Sequence, residues 1–180
     1  RFTGPLYVAS IAALQGWDAP MIYNYSHGTF YPPTVPSIWS TYMDPGLSAL
    51  MPAAAVMYRQ AHVRGALNTY CLMLDRQKLY FEEHRADTMA TVRTLAEQSR
   101  ITIGLPDTPE LDWDAQTVTG PGVITFSDHD VDFISPGQSF VSSDTGEIVR
   151  DWGQGYQTID TDRTQAAHGW IGSFHLELQH

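Results

Sequence analysis

The rhythm of apolar and polar positions changes between residues 65 and 67. Before that point it favours helices. Residues 2–16 (FTGPLYVASIAALQG) predict a helix with Pro5 in its first turn, where a missing N–H costs nothing. Leu6, Ile11, Leu14 and the small residues around them supply an apolar face, and Gly16 is a stop signal. The run APMIYNY (19–25) is apolar on both faces, as a strand buried between two layers would be. Residues 26–42 hold three prolines and a glycine, so they predict a long loop, one that carries Phe30, Tyr31, Trp39 and Tyr42. Asp44 then caps a second helix, with Pro45 at its first position, a possible kink at Pro52 and an end near Val63.

From Leu67 the pattern turns to short strands. NTYCLMLD reads as a strand, DRQKLYFEEH as a turn, residues 86–99 as a helix capped by Asp87, and ITIGL as another strand. Residues 106–138 are rich in Pro, Gly, Asp and Thr, with the short apolar runs VITF and VDFI. The tail offers strands at 139–143, 146–151, 155–160, 165–170 and 173–178, separated by turn residues, which predicts an antiparallel sandwich or meander. Residues 2–63 amount to one and a half β/α units. A lone parallel strand there has no partner for its amides. The expectation is therefore that strands precede Arg1 and that the chain starts inside a longer protein.

Composition narrows the chemistry. With 43% hydrophobic and 17% charged residues, the 180-residue chain can bury a core. Its net charge of −10 opposes phosphate backbones, and Arg59, Arg64, Arg76, Lys78 and Arg85 are scattered, so nucleic acid is not an expected partner. Neutral sugars suit this surface better. Cys71 is the only cysteine, which excludes a disulfide framework and a thiolate metal cluster, and leaves the compartment open. No apolar run approaches the roughly 18 residues a membrane span needs, so no membrane is expected.

Three stretches carry a resemblance. AALQGWDAPMIYNYSHG resembles strand eight and its flanks in large barrel glycosidases of the retaining TIM-barrel clan. YMDPGLSALMPAAAVMYRQAHVRGA resembles the helix that follows that strand, and SDTGEIVRDWGQGYQTIDTDRTQAAHGWIG the hairpins of the β-domain appended to such barrels. The implied fold class is α/β plus β. Residues 1–65 would be the last part of a (β/α)8 barrel (helix seven, strand eight, helix eight). Residues 66–180 would be an antiparallel β-sandwich-like accessory domain with one helix.

The implied activity is glycoside hydrolysis by two carboxylates about 5 Å apart, one acid/base and one nucleophile. In the family these resemble Glu residues after strands four and seven, which would place both upstream of Arg1 and leave no catalytic residue in this chain. Strand eight contributes its tip to a site at the barrel rim. The resemblance thus points to Asn24, Tyr25 and His27 as substrate-binding residues, with Trp39 lining an outer subsite. The implied partners are a carbohydrate substrate and the rest of the barrel, with no cofactor and no metal; substrate class alone suggests a secreted or periplasmic location.

Each candidate has a plainer alternative. Tyr23 and Tyr25 share a strand face and could both fill the barrel interior. His27 could bond a local carbonyl, and Trp39 could anchor its loop. Asp128, His129, Asp130 and Asp132 invite a cation but read better as a solvated turn, as do Asp107, Glu110, Asp112 and Asp114. Asp144, Asp151, Asp160 and Asp162 adjoin turns and suit structural roles. Cys71 reads as a buried core thiol. A second hypothesis is a non-catalytic carbohydrate-binding or structural β-module, which would present an aromatic row such as Trp152, Tyr156 and Trp170.

Overall fold

The computed structural model describes residues 4–21, 25–26, 41–42, 44–81, 90–112, 114–127, 131–169 and 177. Helix α1 spans Gly4–Gln15 and α2 spans Pro45–Arg59. They are followed by strand β1 (Thr69–Met73), helices α3 (Arg76–Phe81) and α4 (Ala90–Leu95), and strand β2 (Arg100–Gly104). After a 3-10 turn at Pro109–Leu111 come β3 (Val123–Phe126), β4 (Phe140–Ser142), β5 (Ile148–Asp151), β6 (Tyr156–Asp160) and β7 (Gln165–Gly169). The chain therefore mixes helices with two sheets. One is parallel, in the order β2-β1-β3; the other is an antiparallel meander, β4-β5-β6-β7.

The start of α2 and the ends of both long helices have local causes. The Asp44 side chain accepts from the Leu47 amide at 3.0 Å, with Pro45 at the first helical position, as the sequence predicts. Gly16, at φ +68, closes α1 through bonds from its own amide to Ala13 O and from the Trp17 amide to Ala12 O. The same motif ends α2 between Ala61 and Tyr58 O and between His62 and Met57 O, but here Ala61 holds the left-handed position at φ +48. That position favours glycine.

Several expectations need correction. The described residues of the expected buried strand, Ala19–Met21 and Tyr25, are not in a strand, and Met21 is 86% exposed. A strand needs hydrogen-bonded neighbours, and no described strand pairs with this segment. Residues 76–81, read as turn, form α3, in keeping with the good helix formers Arg, Gln, Lys and Leu. The β-rich part is not antiparallel throughout: β1 and β2 run parallel because the long, helix-bearing connection over 74–99 permits a crossover. VDFI is not a strand. Asp132 accepts from the Ile134 amide in a local turn, and Phe133 packs its ring on Tyr70 and Phe126. The strand expected at 173–178 lies outside the described residues except for Glu177.

One core unites the helical and β-rich parts. Leu6, Ala9, Ile11 and Leu14 of α1 pack with Ala54 and Met57 of α2, Val63, Ile148 of β5 and Ile159 of β6. From Pro5 to Gln15 only Tyr7, Val8 and Ala13 escape full burial, so α1 is an interior helix and needs no single apolar stripe.

A polar seam runs beside this core. Gln15 donates to the Ala96 and Ser99 carbonyls, both at 2.6 Å, and accepts from the Ile101 amide at 2.9 Å. The buried Glu97 carboxylate accepts from the Tyr7 hydroxyl at 3.0 Å and from Arg150 Nε, while Arg150 also donates to Thr94 Oγ1. Burial first, then the Glu97 carboxylate, push the Tyr7 hydroxyl up to about 12, so it stays a donor. Asp144, in the β4–β5 turn, accepts from the Leu67 and Asn68 amides and from Ser99 Oγ. Glu147 accepts from both the amide and the Nε of Arg64.

Two stability predictions follow from this geometry. Glu97→Ala strands a partly buried guanidinium and a phenol, and should cost about 3–5 kcal/mol in urea unfolding. A loss below about 1 kcal/mol would mean the seam is solvated, as surface pairs are. Ala61→Gly should raise stability by about 1 kcal/mol by removing the left-handed strain; an unchanged or lower midpoint would refute the assigned backbone conformation.

Candidate functional site

The N-terminal end of α2 positions the one expected site residue that is described. The Asp44 amide donates to Thr41 O, and the amides of Thr41 and Tyr42 donate to Tyr25 O at 3.1 and 2.8 Å. These bonds hold residues 25 and 41–42 together, so the chain leaves and re-enters at one neck. The ring of Tyr25 meets that of Tyr42 edge to face, with centroids 5.7 Å apart. Tyr25 is nevertheless 60% exposed. A fixed backbone beneath an open aromatic face makes a platform on which the C–H face of a pyranose could stack.

Asp44 is buried, and its side chain caps α2 by accepting from the Leu47 amide. The other expected contacts, Asn24, His27 and Trp39, lie outside the described residues. Tyr42 is the residue that site reasoning passed over. It was visible only as one of four loop aromatics, and its pairing with Tyr25 depends on the closed neck.

The remaining candidates fall into structural roles. Asp107, Glu110, Asp112 and Asp114 are exposed; Glu110 pairs with Arg76, and that contact raises Arg76 and lowers Glu110 from their ordinary values. Asp151 accepts from the Gln154 amide in the β5–β6 turn, and Asp144 joins the seam. Cys71 is fully buried against Thr117. Asp128, His129, Asp130 and Trp170 lie outside the described residues. Among the described residues no three His, Cys, Asp or Glu side chains gather as a metal site, and no helix is long and apolar enough to cross a membrane.

A second concavity, of about 540 Å³, lies at the other end of α2, roughly 22 Å away at 1.5 Å per residue. Gln60, His62, Arg64, Glu147, Asp162 and Arg163 line it. Most of its polar groups are already paired. His62 engages Thr164 and Gln60 through its two ring nitrogens, and Arg64 engages Glu147 and the Thr145 carbonyl. This is a satisfied polar groove, and Tyr25 remains the better site.

The fold and the site together define a mixed α/β and antiparallel-β chain with an aromatic platform at a helix N-terminus. Compared with protein-family models, curated proteins and solved structures, the chain gives no match.

If the Tyr42 edge contact fixes the platform, Tyr42→Ala should leave the melting temperature within a few degrees and broaden the Tyr25 ring signals. Unchanged Tyr25 resonances would show that the neck alone sets the ring.

Proposed function

We propose that this chain is the C-terminal part of a retaining glycoside hydrolase, with residues 1–65 closing a (β/α)8 barrel and the β-rich remainder bracing it. The observation that carries the proposal is the exposed Tyr25 ring on an anchored backbone, at the end of α2 where the rim of such a barrel would lie. Trp17, Met21 and Tyr25 are all exposed large apolar side chains within one short segment, which supports a covering partner outside the described residues. In this reading Tyr25 forms one wall of the sugar pocket, and the carboxylate pair is supplied by preceding sequence.

The alternative, a non-catalytic carbohydrate-binding module, has less support. Trp152 is 38% exposed, but the Arg150 guanidinium stacks on its ring at 5.3 Å, and Tyr156 is half-buried. They do not make an open row.

Two measurements test the proposal. The 180-residue chain alone should not hydrolyse aryl glycosides; turnover that co-purifies with the protein would place the catalytic pair inside it. In the intact enzyme Tyr25→Ala should lower kcat/KM by about one to two orders, equivalent to a loss of 1.4–3 kcal/mol. Wild-type kinetics with an unchanged melting curve would remove Tyr25 from the site.

A further inference from the structure

The meander carries an unusual row across its inner face. Arg150 of β5 lies opposite Gln157 of β6, and Gln157 lies opposite His168 of β7. Side chains alternate along strands, so this row shares its face with the core residues Ile148 and Ile159. Arg150 donates from Nε to Glu97 and from Nη2 to Thr94. Gln157 Nε2 and His168 Nε2 are both buried without a hydrogen-bond partner, and Gln157 is only 3% exposed.

A buried orphan nitrogen is costly, and a buried orphan imidazolium costs more. Among the described residues, Gln157 of β6 stands directly opposite His168, and the cation Arg150 of β5 is next along the row, with Glu97 and Tyr7 gathered at Arg150. Glu97 has one oxygen on Tyr7 and the other on Arg150. Asp151 and Asp160 lie on strands β5 and β6 but alternate to the opposite face. Burial accordingly holds the His168 imidazole below its ordinary value of 6.5. Among the described strands β7 is also the edge, bonded on one side only, so it can leave without breaking the β4-β5-β6 ladder.

We propose that the Arg150–Gln157–His168 row is an acid-operated release for β7: a proton taken up at His168 places a second cation on the inner face of the sheet and frees the edge strand. The direction follows from linkage. The freed or unfolded state binds the proton more readily than the packed state, so packing of β7 is fully supported above pH 6.5 and is lost as pH falls below it. This inference does not depend on the glycosidase reading.

The test is amide exchange on the chain, expressed as protection factors, between about pH 7 and pH 5, the range in which histidine changes charge. Residues Gln165–Gly169 should lose protection several-fold on acidification while Ile148–Asp151 keep theirs. His168→Gln, which cannot titrate, should abolish that loss. Equal loss in the variant, or no loss in the wild type, overturns the proposal. Should the variant fail to fold, NMR titration of the wild-type His168 ring decides: a midpoint at or above 6.5 overturns the proposal, and one below it supports it.

Discussion

Glu97 is the constraint on which the arrangement rests. It follows α4 in the turn that leads into β2, yet its carboxylate is spent on α1 through Tyr7 and on β5 through Arg150. A carboxylate so deeply placed is tolerable only when both oxygens are engaged. Three separate parts of the chain must therefore be in register at once. Gln15, with its amide committed to the same stretch of backbone, repeats the demand about two turns further along α1. Such a seam gives the helical head and the meander a defined relative position that apolar contact alone would leave loose.

That positioning extends to the candidate site. Helix α1 is buried between α2 and the meander, and its end is joined to α2 by the bond from the Tyr58 hydroxyl to the Trp17 carbonyl. Helix α2, in turn, carries Asp44, whose cap sets the 41–44 turn that grips Tyr25. The aromatic platform thus stands at the end of a chain of rigid elements, although its ring faces solvent.

Local signals were legible wherever the cause was local. Asp44–Pro45 and Gly16 mark helix ends because capping and left-handed backbone depend on neighbours in sequence. β1, β2, β3 and the four meander strands stand where short β-prone runs alternate with turn residues. The errors have a common origin. The described residues of APMIYNY, Ala19–Met21 and Tyr25, were expected in a buried strand because the run is apolar, but strand formation depends on bonded neighbours that no local pattern can supply. The parallel pairing of β1 and β2 was missed because direction is set by the connection across 74–99, not by the strands themselves. Tyr25 was picked out from its place in the sequence; its ring is open to solvent, and its contact with Tyr42 was hidden by the loop between them.

Composition and periodicity by themselves determined that the chain can bury a core, where most of the described helices and strands lie, and that Asp151 serves a turn. Only the tertiary structure decided that α1 is an interior helix, that Glu97, Arg150 and Tyr7 form one network, and that His168 sits unpartnered on the inner face of the meander. The reason is physical. Capping and alternation act over a few residues, but burial and the pairing of charges act between segments that meet only after the chain has folded.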